Sequence, residues 1–359
     1  MVSRRYPMID VRPFDSFVNS PAALTYTIRG AHSAIKLSNF GATILGISVP
    51  DVYGTQADVV LGYGLFDLYL DNPACFGASI GPSANRADKA EIPLNGVVYH
   101  LPKNNGPNNQ NNLHTDLVDG IHKRIWQAEI DESHNTVTFS IDLIDGEYGL
   151  PGNRHITATY KLVEEAAQST VNLTYACTTD AATFVNMTNH VYFNLNGHDS
   201  GDVCGHQLTI QAESYLPLRE DSVSAGTVNS VAGTPFDFRT PKAIGKDLGV
   251  ENEQLKIAHG YDHCFVINNY KNDQLRPALL ATSEGGRSLE IQITAPGAHL
   301  YTGNWLDEAR AKDDAIYKPQ AGFAFESEFY PDCAHHAEWP QPICTPEHPY
   351  SSQIVYRFF

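Results

Sequence analysis

Residues 155–162 read HITATYKL, residues 170–177 read TVNLTYAC, and residues 136–143 read TVTFSIDL. Apolar and polar side chains alternate along each stretch, and β-branched and aromatic residues dominate, the mark of strands with one buried face. The same period of two recurs at 23–28 (ALTYTI), 206–210 (HQLTI), 263–267 (HCFVI), 289–294 (LEIQIT) and 353–358 (QIVYRF). Nowhere does an i, i+3, i+4, i+7 apolar stripe persist for about 12 residues or more. The chain therefore reads as all-β, a large antiparallel β-sandwich, because stacking or closing sheets is how so many strands hide their edges. Between Ile92-Pro93-Leu94 and Val97-Val98-Tyr99 stands Asn95-Gly96. That dipeptide tolerates the positive φ angles of a two-residue type I′ turn, so a hairpin is expected there.

Residues 103–112 (KNNGPNNQNN) suit turns and side-chain hydrogen bonds better than a ladder, which places them at a sheet edge or a mouth. Residues 330–350 are crowded with proline and histidine and should be irregular. No Ser/Gly linker, composition step or fixed-period repeat divides the sequence. Residues 1–359 are therefore expected to form a single domain.

With 24 Lys+Arg against 41 Asp+Glu the net charge is −17, and the longest basic runs are Arg4-Arg5 and Lys123-Arg124. Nucleic acid is excluded as a partner, since phosphate contacts need clustered cations to displace counterions. A composition 42% hydrophobic and 18% charged supports a large packed core. No stretch approaches the roughly 20 apolar residues of a membrane span, and the start, MVSRRYPMIDV, has no apolar run behind its charges. A cytoplasmic chain without a membrane partner is expected, as a monomer or a homodimer. The six cysteines, at 75, 177, 204, 264, 333 and 344, form no CxxC pair, so reduced thiols are expected in place of a zinc or redox motif. The sequons at Asn172 and Asn186 are expected to stay unused.

Candidate chemistry lies in a few polar interruptions. Glu326 ends the apolar run of Gly322-Phe323-Ala324-Phe325-Glu326-Ser327-Glu328-Phe329. Strand geometry sets Phe323, Phe325 and Ser327 on one face and Ala324, Glu326 and Glu328 on the other. A carboxylate flanked by aromatics is partly desolvated, which raises its proton affinity toward that of a useful base. The plainer alternative is a pair of solvent-facing glutamates on an edge strand. His114 closes the Asn-rich loop, and His190 interrupts the strand-like run Met187-Thr188-Asn189-His190-Val191-Tyr192-Phe193. Either imidazole is equally compatible with an ordinary hydrogen-bonded side chain. Asp262 opens the strand at 263–267 or serves a turn, and Arg86, after Asn85, is a binding or a surface charge. Two imidazoles, a semi-buried carboxylate and a binding Asp and Arg suit proton shuttling on a polar, neutral small molecule. No nucleophile elbow, P-loop, dinucleotide fingerprint or HExxH motif appears.

From about Asn39 to Phe358 the chain resembles the aldose 1-epimerases, the galactose mutarotase family. The resemblance rests on NFGA at 39–42, Asn85-Arg86, the Asn95-Gly96 hairpin, NLH at 112–114, DGEYGLPGN at 145–153 and TNHVYFNL at 188–195. It continues in GYDH at 260–263, YTGN at 301–304 and FESEFYPD at 325–332. It implies a supersandwich of galactose mutarotase type, with an open carbohydrate cleft, interconverting the anomers of a free sugar without cofactor or metal. It further implies that Glu326 removes the C1 hydroxyl proton and His190 protonates the ring oxygen. His114 would support the acid, while Arg86, Asn85 and Asp262 would bind sugar hydroxyls.

Two departures from the family pattern bear on substrate fit. Thr115-Asp116 stand where two glycines usually follow the first histidine, and Pro82 follows Gly81 where an arginine is often near. Other hemiacetals or lactols, or binding without turnover, are the alternatives these departures open. A sugar phosphate would need a cationic pocket that the sequence does not offer. His114-Thr115-Asp116 also has the HxD form of iron oxygenases on jelly rolls, but no distal histidine is marked out for it.

Overall fold

The alternation at 155–162 and 170–177 extends into the two longest strands, Arg154–Glu165 and Gln168–Thr179, which pair antiparallel from Arg154 opposite Thr179 to Glu165 opposite Gln168. The computed structural model describes residues 9–17, 22–165 and 168–359. Every other strand expected from the sequence also forms, as Leu24–Arg29, Thr136–Leu143, Gln207–Ile210, Asp262–Ile267, Ser288–Ile293 and Tyr350–Phe358. Several strands were not expected, among them Thr43–Pro50, Arg276–Thr282 and Gly297–Tyr301, which alternate less clearly.

The largest sheet has nine strands, in the order Gln127–Asp131, Thr136–Leu143, Arg154–Glu165, Gln168–Thr179, Tyr350–Phe358, Ser288–Ile293, Arg276–Thr282, Gln207–Ile210 and Lys242–Ala243. A six-stranded sheet runs Tyr192–Phe193, Phe323–Glu328, Gly297–Tyr301, Asp262–Ile267, Ala212–Tyr215 and Asn229–Ser230. The strands Ile9–Pro13, Leu24–Arg29, Ala34–Ser38, Thr43–Pro50 and Gln56–Asp58 form a five-stranded meander. All these strand pairs are antiparallel, and the sheets are open and stacked. One continuous core joins them: Phe193 packs on Tyr356 at 5.3 Å between the six- and nine-stranded sheets, and Tyr26 meets Phe139 edge-on at 5.3 Å. Each such fully buried side chain contributes about 1.5–3 kcal/mol.

The expected hairpin pairs Glu91–Leu94 with Val97–His100, and Asn95 and Gly96 both hold positive φ, at 52° and 80°. The α-helices are short, Phe66–Asp71 and Glu253–Ala258, and none among the described residues is long and apolar enough to cross a membrane. Asn252 caps the second by accepting from the amides of Gln254 and Leu255, and His259 ends it in the left-handed region. Residues 330–350 are irregular apart from one 3-10 turn, the two-residue strand Ile343–Cys344 and Tyr350, where the last strand begins. All six cysteines are free. Of the two sequons, Asn186 is buried with its amide clamped on the backbone of Phe329, and Asn172 lies inside the strand Gln168–Thr179.

Candidate active site

Three neighbouring strands of the six-stranded sheet carry Glu326 and Glu328, His299, and Asp262. In Phe323–Glu328 every residue is buried, which overturns the alternative of solvent-facing glutamates on an edge strand. The strand is interior, paired with Gly297–Tyr301 on one side and Tyr192–Phe193 on the other. Phe323 and Phe325 enter the main core, while Ala324 joins a separate cluster with Tyr192 and Leu306 on the opposite face, the face of Glu326. Across the ladder Glu326 stands opposite His299, and Tyr301 lies between Ala324 and Asp262.

The two histidines arrive from the rim. Arg86–Ala87 pairs with Asn112–Leu113, bringing Asn85 and Arg86 beside His114. The Asn85 amide donates to His114 Nδ1 at 3.2 Å and the His114 amide donates to the Asn85 carbonyl at 3.1 Å. With Nδ1 accepting, the neutral His114 ring carries its hydrogen on Nε2. His190 is held by backbone bonds to Ala78 and Gly77, and its ring lies 5.0 Å from that of Tyr192 and 5.4 Å, edge-on, from that of His114.

These groups converge on a cleft of about 400 Å³ lined by Asn85, Arg86, His114, His190, Asp262 and Glu326, with Tyr192, Tyr301, Trp305 and Leu306 as aromatic and apolar walls. All six expected site residues thus meet in one place. Arg86 is half-buried there, which decides against a free surface charge: Nη1 is 3.8 Å from Asp262 Oδ2, and Nε donates to Asn105 Oδ1 at 3.2 Å. That last contact sets the Asn-rich loop at the mouth of the cleft. His190 Nε2 faces Glu326 Oε1 at 3.6 Å, while His190 Nδ1 and Glu326 Oε2 are buried without partners. Burial, then the charge of Glu328, holds Glu326 well above the usual glutamate range against the opposing pull of His299. Burial pushes His190 down to about 4 and His114 well below its ordinary value. Burial would raise Asp262, but its hydrogen bond to His299 and the charges of His299 and Arg86 outweigh that and keep it ionised.

The residues missed from sequence are Tyr192, Tyr301 and Trp305 in the walls and His299 beneath the floor. His299 sits in the unexpected strand Gly297–Tyr301, and its only signal was a lone polar residue in GAHLY. His114, His190 and Glu326 each offer one ligand atom, all within 4.8 Å of one another, a spacing a cation would accept. Asp116 belongs to no such group among the described residues; its Oδ1 accepts from the amides of Val118 and Asp119, so the HxD reading has no carboxylate arm. Thr115 is also turned away, its hydroxyl bonded to the backbone of Ser83, and neither residue lines the cleft. The expected effect of Thr115-Asp116 on the substrate edge therefore has no direct contact behind it.

The backbone superposes on the crystal structure of an aldose epimerase homologue from C. elegans with a TM-score of 0.83, at 28% identity, over 94% of this chain and 99% of that one. Fold and cleft together define a sandwich of the galactose mutarotase-like class. The family profile described as Aldose 1-epimerase matches residues 24–357. Over 340 residues the chain is 36% identical to the Aldose 1-epimerase of Escherichia coli K12, covering 94% of this chain and 95% of that protein. It is 36% identical over 325 residues to the Galactose mutarotase of Homo sapiens, covering 90% of each. The chain belongs to the aldose 1-epimerase family.

Proposed function

We propose that this chain interconverts the α and β anomers of a free hexose, galactose or glucose, by acid/base opening and closing of the ring. The observation that carries the reading is the buried Glu326 carboxylate, 3.6 Å from His190 Nε2 at the floor of an open cleft lined with hydrogen-bonding groups. Glu326 takes the proton of the C1 hydroxyl and His190 gives one to the ring oxygen. Rotation about C1–C2 then presents the other face of the aldehyde, and closure reverses both transfers. In water an imidazole outcompetes a carboxylate for a proton; burial here lowers His190, which makes its protonated ring a stronger acid toward the ring oxygen, and raises Glu326, which makes its carboxylate a stronger base toward the C1 hydroxyl. His114 steadies the acid edge-on, and Asp262, Arg86 and Asn85 bind hydroxyls. A neutral sugar suits a cleft whose sole lining Lys or Arg among the described residues is Arg86, already paired with Asp262.

The core shared by the three larger sheets supports a single domain. Free cysteines and the acidic composition agree with a cytoplasmic enzyme, monomeric or homodimeric, that meets neither nucleic acid nor membrane. The test is polarimetry or NMR of freshly dissolved α-D-glucose and α-D-galactose. Acceleration over the buffer rate is expected for at least one sugar; a folded protein that accelerates neither refutes the reading.

A further inference from the structure

Behind the acid/base pair lie two buried ionisable groups, His299 and Glu328, that the reaction above does not use. His299 Nε2 donates to Asp262 Oδ1 at 2.8 Å, and His299 Nδ1 stands 3.4 Å from Glu328 Oε1. Asn85 Nδ2 donates to the same Glu328 oxygen at 3.1 Å. His299 is 2% and Glu328 0% exposed, so bulk water serves neither. His299 Nδ1 is also 3.1 Å from Asn85 Nδ2, so it is the two carboxylate oxygens within 3.4 Å of one buried ring, and not the count of hydrogen bonds, that favour its charged form. In strand register this ring lies directly across from Glu326.

We propose that His299 is a positioning residue: a buried imidazolium, braced from behind by Glu328, that holds Asp262 toward the sugar and sets the proton affinity of Glu326. The assignment rests on Glu326 acting as the base. Three carboxylates, Asp262, Glu326 and Glu328, crowd this floor, and Arg86 is the other cation that reaches them. Without His299, Asp262 Oδ1 would lose its partner and Glu326 would face two like charges. The remaining titratable groups around the pair are His190 and Tyr192 beside Glu326, Tyr301 on the strand of His299, His263 and Cys264 on the strand of Asp262, His114 at the rim, and Cys75, Tyr356 and Cys333 behind. Burial alone would lower His299, but its hydrogen bonds to Asp262, Cys264 and Glu328 outweigh it and hold the ring well above an ordinary histidine.

The test is the pH profile of kcat/KM for mutarotation, whose acid limb reports the base. His299→Gln removes a positive charge, so the limb should move up by about one to two pH units, with KM raised as Asp262 loosens. Glu328→Gln removes a negative charge and should move the limb down by about as much, with KM unchanged. The double variant keeps amide hydrogen bonds on both sides, and its limb should return to within about half a unit of wild type. Nitrogen NMR of wild type should show both His299 ring nitrogens protonated at about pH 8; this measurement and Glu328→Gln carry the test if His299→Gln does not fold. Limbs that coincide with wild type, limbs that move the same way, or a neutral His299 overturn the proposal. An inactive wild type overturns the base assignment beneath it, whereas an active wild type with unmoved limbs overturns the role of His299 alone.

Discussion

Set the strand Arg154–Glu165 beside Phe323–Glu328. In the first, buried and partly exposed residues alternate over most of its length; in the second, all are buried, two glutamates included. The first has the core on one face and water on the other, whereas the second has the core on one face and the cleft with its loops on the other. Alternation thus reports how many faces a strand hides, and a polar residue at the outward position means different things in the two cases. On the nine-stranded sheet it meets solvent. On the six-stranded sheet it is a desolvated group with a chemical environment of its own.

The contrast predicts that substitutions in the two sheets fail in different ways. Glu326→Gln should lower kcat by about 10³-fold or more with KM and melting temperature little changed; steady-state polarimetry beside thermal melts checks it, and near wild-type turnover would remove Glu326 from the mechanism. Leu173→Ala, at the centre of the nine-stranded sheet and fully buried, should cost about 3 kcal/mol of stability. Its kcat per folded molecule should match wild type, read from denaturant titration and activity on one sample. Arg86→Ala should raise KM by about 10- to 100-fold at similar kcat, because a hydroxyl contact made throughout the reaction stabilises ground and transition states alike. A loss confined to kcat would move Arg86 into the chemistry. Smallest is Asn95→Ala in the exposed hairpin turn, where φ is 52°: about 1 kcal/mol of stability from the left-handed backbone and no kinetic effect.

The same contrast explains what the sequence disclosed. Strands with one wet face declared themselves by period, and the Asn95-Gly96 turn by its conformational demand. Gly297–Tyr301 is buried along nearly its whole length, so it carried no period, and His299 went unseen with it. Glu326 was visible because its aromatic neighbours signalled desolvation, yet two glutamates two residues apart fit a wet edge just as well until the flanking strands were in place. His114, His190, Asp262, Asn85 and Arg86 come from distant segments, and periodicity could not say that they meet. Their convergence depends on long-range pairings such as Arg86–Ala87 with Asn112–Leu113, and the family resemblance supplied what local pattern could not.

The order of strands in the nine-stranded sheet has a consequence for how the protein is made. Tyr350–Phe358 lies in the middle, between Gln168–Thr179 and Ser288–Ile293, yet it follows every other strand of that sheet in the chain. On the ribosome, both flanks emerge long before the strand that welds them. Each flank waits with an unpaired edge, although the strand Phe323–Glu328 of the facing sheet has already been translated. Completion of the sheet, and with it a rigid floor for the cleft, is therefore a late event in biosynthesis.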